Sequence, residues 1–133
     1  MPDSTAVTAG TNATIAHINN LRQDFLTGNG IWGTDSDGAT VTFDFSDVTK
    51  GNVRTVTLGG NRTLAVSNVD VGQRFVLAIK QGAGGNTVNW FSGILWPANV
   101  VPALTSTAGK YDVFGIICIG AGSYLGFIIG QNL

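Results

Sequence analysis

The sequence predicts an all-β protein: a β-sandwich or jelly-roll-like domain preceded by an N-terminal arm and one short α-helix. Three observations carry this expectation. Nineteen glycines in 133 residues imply many turns. The eight acids are all Asp, and with no Glu and few Lys the chain lacks the residues that populate solvated helix faces. Short runs rich in Val, Ile, Thr and Phe recur between Gly/Asn-rich stretches, the spacing of strands joined by turns.

Taken in order, "MPDSTAVTAG" reads as a polar arm, with neither the basic nor the apolar region of a signal peptide. "TNATIAHINNLRQDFLTGNG" reads as the one helix, with Thr11 or Asn12 as N-cap and Gly28 as its stop. Ile15, Ile18, Leu21 and Phe25 form a narrow apolar stripe on it. A helix of about four turns is marginal alone, so the segment 1–28 is expected to attach the chain to a partner or to organise a trimer. The alternative is that the stripe packs on its own β domain, which is expected to span 29–133.

From Ala39 onward strands are expected. "TVTFDFS" alternates, with Val41, Phe43 and Phe45 facing in. "NVRTVTLGGNRTLAVSN" gives two strands, and "GGN" (Gly59–Asn61) between them reads as a hairpin turn. "GQRFVLAIKQ" sends Phe75, Leu77 and Ile79 one way and Arg74 and Lys80 the other. "GAGGN" is a loop before "TVNWF", and Pro97 and Pro102 limit pairing in the stretch that follows. No long-period repeat is legible.

The last 21 residues carry no charge. That length fits a membrane span of roughly 20 apolar residues, but five glycines puncture it and "GAGS" (Gly120–Ser123) lies mid-segment as a turn signal. The expectation is a buried hairpin. Neither "VFGIICIG" nor "YLGFIIG" alternates, so both faces are expected to be covered, by a second sheet or by another copy of the chain. Ile117, Ile119, Phe127 and Ile128 are the residues expected in the core or in a trimer contact.

Composition narrows the functional classes. A net charge of −1 gives no electrostatic basis for nucleic-acid or anionic-membrane binding, and it suits a protein that associates. One His, one Cys and no Glu leave little material for a zinc site or a Cys–His pair. Cys118, inside an apolar run, is expected to be a buried inert thiol. Asp35 and Asp37 in "GTDSDGAT" resemble half of a calcium loop but lack its closing Glu, so a turn is expected there. Asp44, Asp47 and Asp112 would make a hydrolase only if they converged in a cleft. "LGGNRT" and "QGAGGNT" precede no helix and lack the Walker Lys, so neither is a phosphate loop. No catalytic residue, metal or cofactor is expected. Trp90 and Trp96 are either core aromatics or platforms for a host glycan.

"VTLGGNRTLAVSNVDVGQRFVLAIKQ", then "WP", then "TAGKYDVFGIICIGAGSYLGFIIGQNL" resembles a domain of bacteriophage virion proteins, found at the C-terminus of tail fibres and related head proteins. The likeness spans about Val53–Leu133. It rests on Leu58, Gly60, Asn61, Thr63, Leu64, Gly72, Gln81, Trp96, Pro97, Gly109, Lys110, Asp112, Tyr124, Gly126 and Asn132, with Tyr124 standing where a Trp is more usual. The resemblance implies a non-enzymatic β module that trimerises on the virion exterior after synthesis in the host cytoplasm. With only an arm and a helix ahead of it, the chain looks more like a capsid decoration (cement) protein or short head fibre. Its partners would be its own copies and the major capsid protein or another virion protein. The alternative is a tail-fibre-type receptor module that binds host surface glycan through Trp90 or Trp96.

Overall fold

The computed structural model describes residues 31–133. The expected helix with Ile15, Ile18, Leu21 and Phe25, and the expected boundary after residue 28, lie outside the described residues.

The described chain is β-rich. Its strands are β1 (Trp32–Thr34), β2 (Thr40–Asp44), β3 (Val53–Leu58), β4 (Arg62–Ser67), β5 (Arg74–Gln81), β6 (Val88–Asn89), β7 (Ile94–Leu95), β8 (Tyr111–Gly120) and β9 (Ser123–Gly130). They form a mixed six-stranded sheet in the order β1-β3-β5-β8-β9-β7 and a parallel three-stranded sheet in the order β2-β4-β6.

The chain alternates between the two sheets, and each return is parallel to the strand before it. Trp32 pairs with Val53 and Val53 with Val76, while Thr40 pairs with Thr63. Three coils of 21 to 26 residues are therefore stacked side by side, a structural period that no residue repeat announces. A jelly roll pairs its strands antiparallel, and β1 to β6 depart from that pattern.

The hairpin expected at Gly59–Asn61 is not formed, because β3 and β4 belong to different sheets. A two-residue hairpin turn of the favoured kind needs positive φ, and Gly59, Gly60 and Asn61 are not among the positive-φ residues. The segment turns a corner instead. Side chains tie successive corners together. Asp37 accepts from Arg62 Nε and Nη2, both at 2.8 Å. Thr87 N donates to Asn61 Oδ1 at 2.9 Å and Asn86 Nδ2 to the Leu58 carbonyl at 3.1 Å. On the opposite side of the coils, Asn68 Nδ2 donates to Asp44 Oδ1 at 2.8 Å and Gln73 Nε2 to Asn52 Oδ1 at 2.8 Å. These bonds satisfy corner polar groups that parallel strand ladders leave over.

The facing sides of the two sheets share one apolar core. Val41, Phe43 and Leu64 come from the smaller sheet; Val56, Leu58, Phe75, Leu77, Ile79, Phe114 and Ile116 come from the larger. Each large side chain buried here stabilises the fold by about 1.5–3 kcal/mol. Phe45, expected inside, lies just past β2 and packs half-buried against the Phe75 ring.

The expected C-terminal hairpin is present. β8 and β9 pair antiparallel around a tight turn in which Gly122 takes φ 69°, a value that suits a residue with no Cβ. Three strands cannot cover six, and the core side of β8–β9 is closed by the segment after β6. Trp90, Phe91 and Trp96 pack there edge-on against Phe114 and Tyr124, with ring centroids 4.8–6.2 Å apart.

Candidate functional site: the outer face of the larger sheet

Successive strand residues point to opposite faces, so the register assigns every side chain of the six-stranded sheet to one face. The row Gly33, Arg54, Leu77, Phe114, Ile128 is on the core side. The next row, Trp32, Val53, Val76, Gly115, Phe127, is on the outer side. Beside it runs Arg74, Ile117, Leu125, Leu95. Two adjacent outer rows, crossing all six strands, thus carry one charge.

Among the described residues, no segment covers those rows. Trp32 is 56% exposed, Leu95 57% and Phe127 41%, with Ile117 half-buried and Ile119 and Ile129 exposed. A shallow groove runs along them with Val76 and Gly115 at its floor, Phe127 and Ile129 along one wall, Asn52 and Val53 along the other, and Arg74 at one end. Gly115 has no room for a side chain, because a Cβ there would run into the Phe127 ring. Farther along the strands the face is closed. Trp32 and Tyr111 meet edge to face, 6.3 Å between ring centroids, and Thr55 and Ala78 of the next outer row are buried.

Of the hairpin residues singled out from sequence, Ile117, Ile119 and Phe127 lie together on this outer side. Ile128 does not join them. It is the register partner of Phe114 and shares the core-side row, yet stays 46% exposed near the strand end. Ile129 lines the groove instead, two residues beyond Phe127 in β9 and so on the same face.

The two candidate glycan platforms belong to the core cluster. Trp96 is 7% exposed, and its ring and that of Trp90 lie 5.0 Å apart while both contact Phe114. A sugar stacks on a free ring face, and Trp96 offers none. Trp90 Nε1 is buried without a hydrogen-bond partner among the described residues.

The aspartates are engaged in the fold. Asp35 is buried and holds Arg54 and Lys50; Asp37 holds Arg62 and the Gly59 amide, so the "TDSD" stretch is a corner of paired carboxylates. The Arg62 side chain holds the Asp37 carboxyl below the usual carboxylate range. The side chains of Asn68 and Ser46 and the Ser46 amide hold Asp44 well below it, and the Thr49 side chain lowers Asp47. Asp112 is buried and accepts from Thr105 Oγ1 at 2.8 Å and Asn132 N at 2.9 Å, tying the C-terminal residues to the preceding loop. Among the described residues no group of three or more His, Cys, Asp or Glu could hold a metal ion, and no helix is long and apolar enough to cross a membrane. Cys118 is buried, with Sγ 3.2 Å from the Gly120 carbonyl.

Sequence reading missed Arg54. It is fully buried on the core side, with Nε on the Gly51 carbonyl at 2.7 Å, Nη2 on the Asp44 carbonyl at 2.7 Å and its guanidinium 4.6 Å from the Phe45 ring centroid. The signal was available: Arg54, Val56 and Leu58 alternate onto one face.

Comparison of the chain with protein-family models, with curated proteins and with solved structures finds no match.

Proposed function

We propose that the protein is a non-enzymatic structural component of a bacteriophage virion, a capsid decoration (cement) protein or short head fibre that works as a homotrimer on the particle exterior. The observation that carries this reading is the pair of apolar outer rows on the six-stranded sheet, a broad face that no other segment among the described residues covers. An exposed apolar patch beyond about 300–600 Å² marks an interaction surface. The resemblance of Val53–Leu133 to phage fibre and head domains supplies the setting. In this reading the two packed sheets are the sandwich-like head of the subunit. Segment 1–28, through Ile15, Ile18, Leu21 and Phe25, docks it to the major capsid protein or another virion protein. Neither cofactor nor metal takes part, and neither nucleic acid nor membrane is a partner.

The glycan-binding alternative has less support, since Trp90 and Trp96 pack into the core cluster. Fractionation of purified virions tests the proposal. The chain is expected to co-purify with particles in many copies and to be labelled by antibody on their exterior. Its absence from purified particles would overturn the reading.

A further inference from the structure

We propose that the outer-face groove receives the Asp70–Val71 turn of a second copy of this chain, so that copies join head to tail around a closed ring. The inference rests on the self-association in the reading above and names the surfaces that make it.

Val71 is the most exposed large hydrophobic residue among those described, at 68%. It sits at the tip of the turn between β4 and β5, where Gly72 takes φ 88° and Asp70 N donates to Gln73 Oε1 at 2.9 Å. The turn is therefore fixed in shape and presents an apolar knob beside a carboxylate. The groove is its chemical complement, an apolar floor at Val76 and Gly115 with the Arg74 guanidinium at one end. Neither Asp70 nor Arg74 has an ion-pair partner among the described residues. Within the chain they do not pair with one another, whereas between copies each turn would bring an acid to a neighbour's base.

Topology favours the same occupant. Knob and groove are contiguous, since Gly72 and Gln73 line the groove itself. A contact between two different patches of one chain is heterologous, and it closes into a ring when the rotation permits. A net charge of −1 puts little long-range repulsion between copies.

Sedimentation equilibrium of the full chain and its variants tests the contact. Val71→Asp is expected to weaken self-association about 30-fold or more, as loss of a buried anchor does. Arg74→Asp and Asp70→Arg are each expected to weaken it about tenfold, and the double variant to recover most of that loss, because only a direct contact is restored by exchanging the charges. All three side chains are exposed, so thermal unfolding should report an intact fold in every variant. A double variant no better than the singles, or self-association indifferent to Val71→Asp, would overturn the inference. Detection of the chain in purified virions is read independently, so the contact can fail while the virion assignment stands.

Discussion

Arg54 and Asp35 form a buried ion pair across the first two coils, with Arg54 Nη1 3.2 Å from each carboxylate oxygen of Asp35. The guanidinium also bonds the Gly51 and Asp44 carbonyls and lies over Phe45. One side chain thus fixes both ends of the connection from β2 to β3. Lys50, at the rim, adds a second contact to Asp35 at 3.3 Å.

Breaking this pair from one side leaves a buried charge without its partner. Asp35→Ala is expected to destabilise the fold by about 3–5 kcal/mol. Arg54→Met should cost less, because Asp35 keeps Lys50 and the apolar stem is retained. Chemical denaturation of the three proteins checks the order; equal stabilities would show that the pair does not organise the loop.

Acid sensitivity is expected from the corner carboxylates. Asp37, Asp44 and Asp47 all have folded values below the ordinary range. A depressed carboxyl contributes stability above its unfolded value, about 3.9, and that contribution is lost as pH falls towards the folded one. The melting temperature should therefore be flat from neutral pH to about 4 and fall below it. Asp44→Asn should make that fall shallower; an unchanged acid limb would contradict the assignment.

Trp90 and Trp96 are expected to behave as core residues. Trp96→Ala should destabilise by about 3–5 kcal/mol. Trp90→Phe keeps a ring in the cluster and removes an unpartnered N–H, whose burial costs about 1–3 kcal/mol, so it should be close to neutral or stabilising. Thermal unfolding separates the two. Glycan-array binding that disappears in Trp90→Phe, with stability unchanged, would restore the receptor reading.

Gly126 lies on the core side of β9, where a Cβ would come within 2.6 Å of Ile94 Cγ2 and 2.8 Å of Trp96. Gly126→Val is expected to cost about 1–3 kcal/mol through overpacking. A stability equal to the original would show that the Trp96 loop yields freely.

Much of the strand content was legible, because alternation is local. Val41 and Phe43 in β2, and Phe75, Leu77 and Ile79 in β5, point inward as their spacing requires, and "GAGS" turns the last hairpin. The winding of the chain was not legible. Parallel pairing depends on partners some 21 to 26 residues away, and the corner at Gly59–Asn61 has the composition of a hairpin without its backbone angles. The unbroken apolar runs of β8 and β9 signalled two apolar faces. They did not reveal that the core side is closed by Trp90, Phe91 and Trp96, while the outer side has no cover among the described residues. Ile129 follows Phe127 at the two-residue spacing of one strand face, but the unbroken apolar run did not show which face that was.

A structural protein that assembles through the apolar outer face of its larger sheet should show its assembly in sedimentation equilibrium of the unmodified full chain at micromolar concentration. One species at three times the 13.8 kDa chain mass is expected. A monodisperse monomer would rule out assembly through that face.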